Sequence, residues 1–180
     1  ATRWWAISSR PTKKRATMIE LSLAIQYGTP APQLPRWRLR RWVQRALDAA
    51  LNTAPAANGV DPSGIAAAAL TLRFVDAEEG RELNSQFRAR DYATNVLTFE
   101  YGVDPEGTLR GDIVLCLPVL EREAREQRKS LVDHAAHLTV HGVLHSLGHD
   151  HIDPGEAAAM EALETNILAK MGIADPYQEH

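Results

Sequence analysis

The chain has 180 residues, 44% of them hydrophobic, which is enough for one domain with a sizeable core and too few for two of ordinary size. A single cysteine, Cys116, excludes an internal disulfide framework and a multi-cysteine zinc cluster and suits a reducing compartment, and no apolar run approaches the ~20 residues that a bilayer span needs. The net charge of −3 is uneven: residues 1–17 hold five basic side chains and no acid, leaving 15 basic against 23 acidic, or −8, for the rest, which argues against a broad electrostatic grip on nucleic acid.

The leader 1–17, ATRWWAISSRPTKKRAT, suits a transit-type segment, an upstream start or a foreign remnant, and it is set apart from the fold. From Met18 the run MIELSLAIQ alternates, placing Ile19, Leu21, Leu23 and Ile25 on one face of a strand that YGTPAPQLP terminates. RWRLRRWVQRALDAALN repeats apolar residues at helical spacing (Trp42, Val43, Ala46, Leu47, Ala50, Leu51), with Trp42 as packing, and TAPAANGVDPSG closes it. A second strand, AALTLRFVD, puts Leu70, Leu72 and Phe74 on one face; a short helix follows, with Asp76 at its cap and acids in its first turn, where the helix dipole favours them. TNVLTFEY and GDIVLCL are two further strands, separated by the loop GVDPEGTLR, and Cys116 inside the second belongs to the core. Pro118 opens a helix with a solvated charged face, Glu121 and Arg125 standing four apart on it. Then come LVDHAAHLTVHGVLHSL, the loop GHDHIDPGE and a last helix from Glu156 to Gly172. The order predicts an α+β fold: a single domain over 18–180, a small mixed sheet of about four strands with about five helices, and the histidine-rich helix in the C-terminal half.

Five of the seven histidines fall in HLTVHGVLHSLGHDH, residues 137–151. On a helix His141 and His145 lie one turn apart, about 40° around the axis, so both imidazoles can reach one point, while Ala136, Val140, Val143 and Leu147 form the packing stripe behind them. Gly148 suits a turn of positive φ that ends the helix and brings the chain back with His151. The pattern HxxxHxxGxxH thus offers three metal ligands, His141, His145 and His151, and leaves a coordination position open, as in a catalytic zinc site. His137 and His149 are alternative ligands by spacing, and His134 and His137 are candidates for the surface or for a supporting layer. Metzincin proteases share this three-ligand spacing but carry a Glu after the first ligand as general base; here that residue is Gly142, which disfavours peptide hydrolysis.

The segment HGVLHSLGHDH is similar to the HGxLHLxGYDH signature of the YbeY endoribonucleases, or rRNA maturation factors, and FRARDYATNVLTFEY, GDIVLC, MEALETNILAKMG and DPY support the resemblance in order across residues 18–177. Ser146 and His149 depart from the usual Leu and Tyr. The resemblance implies a zinc-dependent endoribonuclease of single-stranded RNA, engaged in maturing the 3′ end of small-subunit ribosomal RNA and in ribosome quality control, in the cytoplasm and away from membranes. It further implies His141, His145 and His151 as metal ligands and Arg88 beside the metal, where a guanidinium can grip a phosphate through two parallel hydrogen bonds. Small-subunit proteins are the implied partners. Asp150 is a candidate for orienting a histidine, Asn95 for shaping the cleft or turning the chain at the strand start, and Arg73, Arg81, Arg90 and Arg110 are read as solvated side chains before a phosphate track. Two other functions fit the residues less well: a hydrolase of a non-RNA substrate, and a non-catalytic assembly factor ordered by zinc.

Overall fold

The computed structural model describes residues 19–52, 62–149 and 153–178; the leader, Asp150 and His151 lie outside the described residues. Four strands and five α-helices follow in the order β1 (Glu20–Tyr27), α1 (Arg36–Leu51), β2 (Ala67–Val75), α2 (Ala77–Arg88), β3 (Val96–Val103), β4 (Thr108–Cys116), α3 (Leu117–Glu126), α4 (Leu131–Ser146) and α5 (Pro154–Lys170). The sheet order is β1-β2-β4-β3; β1, β2 and β4 run parallel, and β3 is an antiparallel edge strand. The single α+β unit expected from the element order is the one observed.

Period-two burial along the strands divides the sheet into two unequal faces. Leu70, Leu72 and Phe74 of β2 and Leu109, Ile113 and Leu115 of β4 join α1, α4 and α5 in the main core. The opposite face has only a small cluster around Val75, Leu97, Val114 and Val119, with Leu83 of α2 against it. Trp42 is buried in the main core, and Cys116 is a buried free thiol whose pKa burial pushes up.

Three local details differ from the sequence reading. GVDPEGTLR is mostly strand: β3 continues through a bulge at Gly102 (φ 74°), and Asp104 ties the tight turn by accepting from the Glu106 and Thr108 amides. Asp153 caps α5 by accepting from Gly155 N, so that helix begins at Pro154 instead of Glu156, a start that proline at the first helical position favours. On α3 the ion pair is Arg122 with Glu126 at 3.8 Å, one residue beyond Glu121 and Arg125.

Helix α4 crosses the sheet at two close approaches to β4. A Cβ on Gly142 would stand 2.8 Å from Ile113 Cγ2, and one on Gly111 would stand 3.1 Å from Ser146 Oγ, which donates back to the Gly142 carbonyl. The small residues at 111, 142 and 146 therefore seat the histidine helix directly on the sheet.

Candidate metal centre and cleft

Both ends of α4 are fixed by local chemistry. Ser130 caps the start by accepting from Asp133 N, and Gly148 (φ 86°) closes the end: its N–H donates to the His145 carbonyl at 2.9 Å, and the His149 N–H donates to that of Leu144 at 3.1 Å. These two bonds are the Schellman pattern, which needs the left-handed conformation that glycine adopts without a Cβ penalty. Ala136, Val140, Val143 and Leu147 are buried as expected, and the other side of the helix carries the imidazoles.

His141 Nε2 and His145 Nε2 are 3.0 Å apart. Two nitrogens bound to one tetrahedral zinc at 2.0–2.1 Å each would stand about 3.3 Å apart, so the pair is set almost at chelating distance before any ion is considered. What aims His141 is Glu164 of α5, a fully buried side chain whose Oε1 lies 2.5 Å from His141 Nδ1. An ionised carboxylate only accepts, so Nδ1 carries a proton, and in the neutral ring Nε2, facing His145, is the nitrogen with the lone pair. A carboxylate behind a histidine in this way sets ring orientation and basicity at metal sites.

Glu164 also receives His137 Nε2 on Oε2 at 3.1 Å and the Tyr177 hydroxyl on the same oxygen. Burial alone would push this carboxyl up, but the hydrogen bonds from His137 and His141 together with the charge of His141 outweigh it and hold the pKa at about 2. Burial first, then the hydrogen bond to Glu164 and its charge, push the Tyr177 hydroxyl well above its ordinary value. Ligand-type atoms of His137, His141 and Glu164 lie within 4.8 Å of one another, an arrangement able to hold a cation among the described residues, although hydrogen bonds already join them. His134 is buried and so does not belong to the surface, and His137 is half-buried.

Arg88 ends α2. The left-handed Ala89 (φ 55°) and the bond from Asn84 Nδ2 to the Tyr92 carbonyl at 2.7 Å turn the chain back toward β3, and Arg88 Nη2 donates to the Thr98 carbonyl at 3.1 Å. A cavity of about 320 Å³ opens between β3 and α4, with Arg88, Asn95 and Glu100 facing His141 and His145. Three of the four site residues expected from sequence thus share one cleft, and the fourth, His151, falls outside the described residues.

Asn95 serves both of its expected purposes: Oδ1 accepts from Val96 N at 2.7 Å at the strand start, and Nδ2 donates to Glu123 at 3.1 Å beside the cleft. Arg73, Arg81 and Arg110 pair with Glu79, Asp91 and Asp104, and Arg90 donates to the Tyr92 hydroxyl, so none of the four lines this cavity. Glu164 and the role of Tyr177 escaped the sequence reading, whereas His137 stands in the supporting layer that was one of its expected places. A signal was available: Glu164 lies on the apolar stripe Met160–Ile167–Leu168 of α5, where a carboxylate is buried only with partners.

Fold and cleft together define a small α+β domain whose histidine pair, backed by a buried carboxylate, faces an arginine across a groove. The family model described as Endoribonuclease YbeY matches residues 25–172. Curated relatives named endoribonuclease YbeY include one from Bordetella pertussis, 66% identical over 158 residues, covering 88% of this chain and 96% of the relative. Another, from Cupriavidus necator, is 50% identical over 167 residues, covering 91% and 76%. The solution structure of a Thermotoga maritima protein matches the fold with a TM-score of 0.52 at 21% identity over 87% of this chain and 99% of that one. The chain belongs to the endoribonuclease YbeY family. Among the described residues no helix is long and apolar enough to cross a membrane.

Proposed function

We propose that residues 18–180 form one metal-dependent endoribonuclease domain that cleaves single-stranded RNA, with the 3′ end of small-subunit ribosomal RNA as its target. Zinc is the metal best suited to three imidazoles with an open position, from His141, His145 and His151, with the leader 1–17 standing outside the catalytic unit. The observation that carries this reading is the convergence of the His141 and His145 Nε2 atoms opposite Arg88 in one cavity.

When bound, the metal would supply Lewis-acid and water-activating chemistry at that point. The chain's own residues do the rest. Glu164 accepts the Nδ1 proton of His141, so that in the neutral ring Nε2 is the nitrogen offered to the metal. Arg88 is free to exchange its single bond to the Thr98 carbonyl for a phosphate, which it can hold through two parallel hydrogen bonds while charge builds on the nonbridging oxygens. Gly142 takes no part, and its contact with Ile113 leaves no room for the glutamate that a peptidase would carry there. On an acidic body the grip on RNA is local to this groove, and ribosomal RNA would bring the chain to the small subunit and its proteins in the cytoplasm.

Metal content and cleavage of a labelled single-stranded RNA, measured on wild type and His145→Ala purified side by side without chelator, test the reading. Near-stoichiometric zinc and cleavage, both lost in the variant, are expected. Zinc retained without cleavage of any RNA would favour the non-catalytic assembly factor.

A further inference from the structure

A second cavity, about 630 Å³ and larger than the cleft, lies between the α3–α4 turn and residues 173–178. The two share Asn95, so a strand of RNA leaving the histidine pair past this residue enters the second cavity directly. We infer that this second cavity is a subsite for one ribonucleotide flanking the cleaved linkage; the inference rests on the RNA reading above.

Among the residues that line it, beside Glu126, Arg128, Asp133 and Asp175, are three kinds of group that match the three parts of a nucleotide. Tyr177 supplies an aromatic ring, 40% exposed, that is held in place by its hydroxyl on Glu164 and by edge-to-face contact with His137 at 5.3 Å between centroids. A ring already fixed loses little freedom when a base stacks on it, and such stacking is sequence-tolerant. Glu123 supplies acceptor oxygens, positioned by Asn95 Nδ2, for ribose hydroxyls or base N–H groups. Lys129 supplies the cation. It reaches the cavity because α3 ends in a left-handed turn at Arg128 (φ 55°), with Lys129 N donating to the Ala124 carbonyl. A non-glycine residue in that conformation carries some backbone strain, of the kind that gathers at ligand-binding positions. A free phosphate alone would meet the carboxylates, and a purely cationic ligand would meet Lys129. A ribonucleotide, with stacking base, donor-bearing sugar and anionic phosphate, satisfies all three.

The test uses Ala174→Trp, which fills the cavity mouth from an exposed position, and Lys129→Ala, which removes the cation; neither residue belongs to the metal or cleft machinery. A series of single-stranded RNAs lengthened one nucleotide at a time on either side of one cleavage site is assayed for kcat/KM. An RNA oligonucleotide of the same series is titrated into metal-stripped protein, followed by anisotropy and by amide shifts at 123–129 and 173–178. In wild type, one added nucleotide on one side is expected to raise kcat/KM at least ~10-fold, the worth of one well-stacked base. Both variants should lose that gain while the shortest RNA is cleaved at the wild-type rate. A length gain undiminished in both variants, or oligonucleotide shifts confined to the cleft, would overturn the subsite. Cleavage of no RNA, with oligonucleotide binding that Ala174→Trp abolishes, would support the subsite while sinking the nuclease reading.

Discussion

Helix α4 carries three histidine–carboxylate pairs, and those of His134 and His141 are built differently. His134 meets Glu123 through Nε2, the tip of its ring, at 3.2 Å, and its Nδ1 is buried without a partner. His141 meets Glu164 through Nδ1, near the backbone, at 2.5 Å, and its tip points at His145. The first imidazole spends its outward nitrogen as a latch between α4 and α3. The second spends its inward nitrogen and offers the outward one. Which ring nitrogen the carboxylate takes therefore separates a packing histidine from a prospective ligand, although both are on one helix and beside an acid.

The sharpest break of this contrast is substitution of the acids. Glu164→Gln is expected to weaken metal binding roughly 10–100-fold, because the Nδ1 proton loses its charged acceptor, whereas Glu123→Gln should leave metal affinity unchanged; competition with a chromogenic chelator reads both. Arg88→Lys keeps the charge but loses the planar fork, and RNA cleavage should fall roughly 10²-fold with metal content intact, measured as kcat/KM on one oligonucleotide. Gly142→Glu would restore a peptidase pattern to the sequence. It should instead cost at least about 3 kcal/mol in denaturant unfolding and give no peptide hydrolysis, since the side chain would be driven into Ile113.

The smallest effect sharpens the latch end. Burial lowers the His134 pKa, Glu123 opposes that shift, and Lys129 and His137 add to it. The folded state therefore disfavours the proton that the unfolded chain takes up near pH 6.5, so this contribution to stability is present above that pH and declines as pH falls below it, by at most about 1.4 kcal/mol per pH unit. In chelator-treated protein, His134→Gln should flatten the slope of unfolding free energy below pH 6.5; identical slopes would refute the assignment.

The strands, the helices and the convergent histidine pair were legible because each depends on spacing within one element: period two in β2, and four residues between His141 and His145. The carboxylate behind the pair was not. Glu164 reaches His141 only because α5 packs beside α4, a tertiary fact that no local period encodes. The β3–β4 turn was misjudged for a related reason, since Asp104 and the two left-handed glycines convert a loop-like composition into strand. Gly142 was noticed for the carboxylate it lacks; its contact with the sheet supplies the physical cause.

Arg88 has a consequence beyond its proposed part in catalysis. Strand β3 is an edge strand of the sheet among the described residues, and the Arg88 guanidinium sits on one of its backbone groups, the Thr98 carbonyl. A charged side chain at such a border is a guard against unwanted strand-to-strand association. The arginine assigned to substrate is thus also a colloidal safeguard for the idle protein. Its truncation to alanine should shorten the time to visible aggregation on prolonged storage.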